Sequence, residues 1–211
     1  MLAGCHKSPQ FTQSDKVDQN HIFQFYKVQY DAEGEKMTAT AVFHIDHRSG
    51  ECIQLTEPSK VTVNGQELAF NEKGEYTRSI GSYQQVTPFA YTNNDNKQFN
   101  NSIITNSIAF NQDNITLNRT KDTRIAIKAE PFTESESVSC MLKNGNETVE
   151  IGLSIENGKL IVPLEALDAV QPGTYTARLV RRNYNQQLKS LDRGGEWESQ
   201  FVSKSKNITI Q

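Results

Sequence analysis

Apolar and polar residues alternate at period 2 along almost the whole chain, and the apolar spacing of an amphipathic helix is almost nowhere sustained. Such a chain has one buried face per strand and must stack sheets to cover it, which predicts an all-β fold. Met37 to Asp46 puts Ala39, Ala41, Phe43 and Ile45 on one face, and Glu51 to Thr56 carries Ile53 and Leu55. A three-residue loop, Arg48-Ser49-Gly50, pairs Phe43 with Leu55 and Ile45 with Ile53, with Gly50 taking the left-handed position. Asn64-Gly65 predicts a hairpin that pairs Val61 with Leu68, and Asn157-Gly158 one that pairs Ile155 with Leu160.

Further strands are expected over Ile22 to Tyr30, Tyr76 to Ile80, Val86 to Thr92 and Gln98 to Ile103. Beyond a boundary near Ile103 to Ser107 they follow near Ile115-Leu117, then at Arg124 to Ala129, Val138 to Leu142, Val149 to Ile155 and Leu160 to Pro163. A helical turn, Leu164 to Val170, precedes a strand carrying Tyr175, Ala177 and Leu179, and two last strands run from Trp197 to Val202 and up to Ile210. A length of 211 residues permits two such units, and about seven short strands in each is the density of a β-sandwich.

Pro172-Gly173-Thr174-Tyr175 resembles the tyrosine corner of immunoglobulin-like domains, whose Tyr hydroxyl bonds back to the chain. Residues 104–211 carry that likeness, and 21–103 share it by strand pattern. The fold expected is two tandem Ig-like β-sandwiches, at 21–103 and 104–211, preceded by a flexible tether.

Leu2-Ala3-Gly4-Cys5 resembles the lipobox of bacterial lipoproteins, which implies a lipid on Cys5 and cell-envelope residence. His6 after that Cys, where an acidic residue would retain such a protein, implies the outer membrane. The polar stretch from His6 to Asn20 reads as the tether, so residues 1–20 are taken as lipobox and tether. Cys52 and Cys140 fall in different halves and are expected unpaired, Cys140 as a small core residue.

A net charge of −3 speaks against a nucleic-acid binder, and GxSxG, HExxH, P-loop and GxGxxG motifs are absent. His44, Asp46, Cys52 and Gln54 share one hairpin face, with Asp46 opposite Cys52. A carboxylate beside a thiol raises its pKa and dulls the nucleophile, so these residues read as polar surface. No enzyme, cofactor or metal site is expected.

The segment from Arg181 to Glu196 is the basic stretch of an acidic chain, and in an Ig-like domain it would form the F–G connection. Arg181, Arg182, Tyr184, Lys189 and Arg193 are therefore the candidate partner-binding residues, because Tyr and Arg most often anchor interfaces. The expected function is non-catalytic binding of a protein or glycan of the cell envelope through loops of the second domain. An inhibitor or immunity-type protein of the periplasm and a structural part of an envelope assembly are the alternatives.

Overall fold

The computed structural model describes residues 11–190 and 192–211. The first half holds β1 (Thr12–Gln13), β2 (Ile22–Asp31), β3 (Lys36–Ile45), β4 (Ile53–Gln54), β5 (Lys60–Val63), β6 (Gln66–Glu67), β7 (Ala69–Phe70), β8 (Tyr76–Gly81), β9 (Val86–Thr92) and β10 (Gln98–Ile104). The second holds β11 (Ile108–Phe110), β12 (Ile115–Leu117), β13 (Thr123–Ala129), β14 (Glu136–Asn144), β15 (Glu147–Glu156), β16 (Lys159–Val162), β17 (Gly173–Asn185), β18 (Gly195–Val202) and β19 (Lys206–Ile210). Only single 3-10 turns interrupt the strands among the described residues. The fold is all-β, as the alternation requires.

In the first half, a sheet ordered β2-β3-β8-β7 faces a second ordered β10-β9-β5-β6. Aromatic rings fill the space between them: Tyr26 stacks on Phe89 and Phe43 leans on Tyr91, each at 4.7 Å between centroids. Asn64 and Gly65 both take positive φ, as a tight hairpin turn requires, and Leu68 donates its amide to the Val61 carbonyl at 3.1 Å. In the second half, β11 and β16 flank β13 in one sheet, while β14, β17, β19 and β12 build the other. The parallel pair β12·β19 beside the antiparallel pair β17·β19 is the Ig-like arrangement of a first strand that crosses from one sheet to the other. Tyr175 donates its hydroxyl to the Gln171 carbonyl at 2.9 Å, the bond of a tyrosine corner.

The two halves share a sheet. β18 pairs antiparallel with β17 through Val180↔Val202 to Asn185↔Trp197, and on its other edge it pairs parallel with β2 from Gly195↔Gln24 to Val202↔Asp31. One path of strands thus crosses the junction as β14-β17-β18-β2-β3-β8. Cross-half side chains reinforce it: Arg178 forks onto Asp31, Lys27 meets Glu198 at 3.2 Å, and Ser199 Oγ donates to the Ile104 carbonyl at 2.7 Å.

Two expectations need correction. The tether does not extend to Asn20, because residues 11–20 are folded onto the first half. Phe11 meets Phe70 edge-on at 5.1 Å, Thr12–Gln13 pairs parallel with Ile53–Gln54, and Ser14 and Gln19 are buried. The hairpin after Ile45 is also shifted by two positions, since His44, not Asp46, lies opposite Cys52. Asp46 takes the positive φ of +63°, a conformation Asp tolerates better than most residues. Gly50 is needed for another reason: a Cβ there would fall on the Ile45 carbonyl.

Gly195 opens β18, and a Cβ there would stand 2.6 Å from the Gln24 carbonyl oxygen and 2.8 Å from Leu188 Cδ1. Gly195→Ala therefore forces β18 off β2 and should cost about 1–3 kcal/mol in chemical denaturation. Because one sheet runs through both halves, the wild-type chain should also unfold in a single calorimetric transition, with calorimetric and van't Hoff enthalpies in agreement.

Candidate functional site on the shared sheet

The F–G connection is shorter than expected. β17 continues as regular strand through Asn185, so Arg181, Arg182 and Tyr184 lie in a strand and the loop begins at Gln186. Alternation along β17 sends Arg181 into the sandwich and Arg182 and Tyr184 to its outer face.

Arg181 is 2% exposed, so its reading as a contact residue is corrected. Each of its five N–H donors has an acceptor. Nε and one Nη2 hydrogen fork onto Glu136 at 3.0 and 2.8 Å, while Ser107, Glu130 and Pro131 carbonyls accept the others at 3.0, 3.0 and 2.9 Å. The Phe132 ring covers the guanidinium at 4.1 Å. Burial alone would raise the Glu136 carboxyl, but the hydrogen bonds from Arg181, the Thr133 amide and Asn106 outweigh it and hold it below the ordinary glutamate range. The residue ties the junction segment at Ser107 and the Glu130–Pro131 segment to β17.

Arg182 stays at the surface, held by Glu150 at 2.6 Å and by Ser139 Oγ at 2.8 Å. Arg193 reaches across to the first half, where its Nε meets Asp46 at 2.9 Å beside His21, itself 2.6 Å from Asp46. Lys189 has an exposed side chain, but its backbone is gripped at both ends by Asn101, which accepts from the amide at 2.7 Å and donates to the carbonyl at 3.0 Å. Gln24 N donates to the Gly194 carbonyl at 3.4 Å. The loop is thus a clamp on the first half, with the Arg193 charge answered by Asp46.

Tyr184, 38% exposed, stands on the outer face of β17 beside Glu198 of β18. From the first half, Arg48 lies over the Phe25 ring at 4.0 Å and 5.9 Å from the Tyr184 ring, while Glu196 meets its Nη1 at 3.4 Å. The turn at Asp46–Gly50 aims Arg48 there. Sequence reasoning missed Arg48 and Phe25, which lie far from Tyr184 in the chain. The available signal was Phe25 itself, an aromatic that shares its strand face with Lys27 and Gln29.

Cys52 is a poor nucleophile. Burial first, then Glu51 and Glu75, push its thiol pKa up, and Gly74 packs beside it. His44 Nδ1 is 3.7 Å from the sulfur but 2.9 Å from the Gly50 carbonyl, so that nitrogen carries the hydrogen and cannot take the thiol proton. Cys52 and Cys140 are both free thiols, and Cys140 is buried in the core. Cys5 lies outside the described residues.

No protein-family model matches the chain, and no curated protein matches it. Among solved structures, the crystal structure of the I9-I11 tandem from titin aligns at 10% identity and a TM-score of 0.25, covering 89% of this chain and 66% of that one. A likeness this loose carries no argument, and the Ig-like arrangement rests on the strand pairing itself.

Arg181→Met leaves Glu136 as a buried, unpaired carboxylate and should cost about 3–5 kcal/mol in urea denaturation. A depressed carboxyl contributes stability that is whole above its unfolded value, about 4.3, and fades as pH falls through the lower folded value. Glu136→Gln should therefore lower stability at neutral pH and flatten its fall below about pH 4. In alkylation mapped by peptide at neutral pH, Cys52 should react at least about tenfold more slowly than a free thiol, and Cys140 only on unfolding.

Proposed function

We propose that this chain is a non-catalytic binding protein of the bacterial cell envelope that captures a protein partner on the outer face of its shared sheet. The observation that carries the reading is the meeting of Arg48, Phe25 and Tyr184 across the two halves, with Arg182 on the same strand as Tyr184. Exposed Tyr with Arg stacked on an aromatic ring is the chemistry of interface anchors. Both charge signs are present around it, with Lys27, Glu196 and Glu198 at its edge, which suits a protein surface with its own mixed charges better than a neutral glycan. Anchoring at the outer membrane through a lipid on Cys5 is part of the proposal, supported by Leu2-Ala3-Gly4-Cys5 and by His6. The folding of residues 11–20 supports a body standing close to such an anchor, because the five residues after Cys5 span at most about 18 Å.

In-cell crosslinking followed by capture and mass spectrometry tests the reading. Arg48→Ala and Tyr184→Ala should each reduce recovery of one dominant protein, and weaken its binding to the purified chain by about 30-fold, with the melting transition unchanged. Undiminished capture by the double variant would remove this face from consideration.

A further inference from the structure

On the side of the second half, the sheet that crosses the junction ends at β15. β15 first pairs with β14, from Asn144↔Glu147 to Val138↔Leu153, and then turns away to pair with β16 through Ser154↔Ile161 to Glu156↔Lys159. Thr148 to Gly152 thus have β14 on one side and, among the described residues, no strand on the other.

The phase of the hydrogen bonds decides which residues face outward. Tyr184 donates its amide to the Ser135 carbonyl at 3.3 Å, and Ser203 donates to the Leu179 carbonyl at 2.8 Å. Even-numbered residues of β17 therefore bond to β14, and odd-numbered ones bond on the other side. Carried across the next ladder, this turns the odd-numbered residues of β15 toward β14. The backbone N–H and C=O of Thr148, Glu150 and Gly152 point away from it. All three residues are exposed, and a Cβ added at Gly152 would meet nothing within 4 Å.

Open edges are usually blunted by lysine, proline or a bulge. Glu147 to Leu153 holds neither lysine nor proline, and its register with β14 is unbroken. On the inner face Val149 and Leu153 are only half-buried, and the 3-10 turn Leu164–Leu167 beside β15 leaves Leu164 39% exposed. An unpaired ladder thus runs along apolar groups that the chain itself does not cover.

The strand that fits this edge is another β15. Antiparallel pairing about a two-fold axis at Ile151 sets outward-facing residues against outward-facing ones, as such a ladder requires. Val149 then lies opposite Leu153 of the second copy, and Ile151 opposite Ile151. Glu150, held by Arg182 at 2.6 Å, lies opposite Gly152, which has no side chain and no charge. An axis at Glu150 would instead oppose two carboxylates directly.

We propose that the chain forms a two-fold homodimer by antiparallel pairing of β15 with β15 of a second copy, in the register centred on Ile151. The shared sheet then continues through both molecules, and their outer faces look to the same side. The ladder is short, which places the dimer among weak, reversible interfaces.

Sedimentation velocity and amide NMR of the purified chain, over a concentration series up to about 1 mM, test this. The sedimentation coefficient should rise with concentration, and the amides of Glu150 and Gly152 should shift with it. Gly152→Pro deletes an outward N–H without touching the ladder to β14 and should weaken association at least about tenfold. Gly152→Glu, which faces Glu150, should weaken it as much, whereas Gly152→Lys should not weaken it. Thermal melting reports that each variant is folded, and the wild-type series needs no variant. A monomer at every concentration, a dimer whose edge amides stay still, or equal effects of Glu and Lys at position 152 would overturn the proposal. So would edge-amide shifts that appear only on adding a blocked heptapeptide of alternating Thr and Val, which would assign the edge to a different chain.

Discussion

The parallel pairing of Gly195–Val202 with Gln24–Asp31 organises the molecule. β18 belongs to the second half through its antiparallel ladder with β17, yet its other edge is satisfied only by β2 of the first half. An edge strand left open would be a row of unpaired donors and acceptors, and pairing it across the junction removes that exposure. Most cross-half features depend on this seam. Arg178 reaches Asp31 because Val202 lies beside Asp31, and Lys27 reaches Glu198 because those two residues are register partners. Lys189 and Arg193 meet Asn101 and Asp46 because β18 starts against Gln24.

Charge plays two different roles on this frame. Arg181 and Glu136 are both withdrawn from water, and only full hydrogen bonding makes that tolerable; the pair locks the junction at Ser107 to the core of the second half. The surface pairs around Arg48, Lys27 and Arg182 are at least partly solvated, a setting in which an ion pair adds little to stability. Such pairs can exchange partners at small cost, which is why the same residues are suited to recognition. Arg181 and Arg182 are neighbours in sequence and identical in chemistry, and strand alternation alone gives them opposite fates.

Much of the fold was legible because it is local. Period-2 alternation, the Asn-Gly turns and the tyrosine corner each act within a few residues, so Asn64-Gly65, Asn157-Gly158 and Tyr175 are found where the pattern puts them. The Arg48-Ser49-Gly50 turn was misread because turn type depends on which residue takes positive φ, and Asp46 competes with Gly50 for that position. The stretch from His6 to Asn20 carries only Phe11 and Val17 as large apolar groups, too few to signal a folded segment locally. Phe11 and the buried Ser14 are ordered by surfaces contributed from residues 52–76, which local composition does not reveal.

By itself the sequence determined the strands, their inward faces and most hairpin registers, since these follow from side-chain alternation and from turn residues with special backbone freedom. Tertiary structure decided which strand edges meet. That choice joins β18 to β2, buries Arg181 while leaving Tyr184 in solvent, and brings Arg48 to Tyr184 from 136 positions away. Edge pairing depends on backbone groups that every residue carries alike, so no residue type marks it in advance.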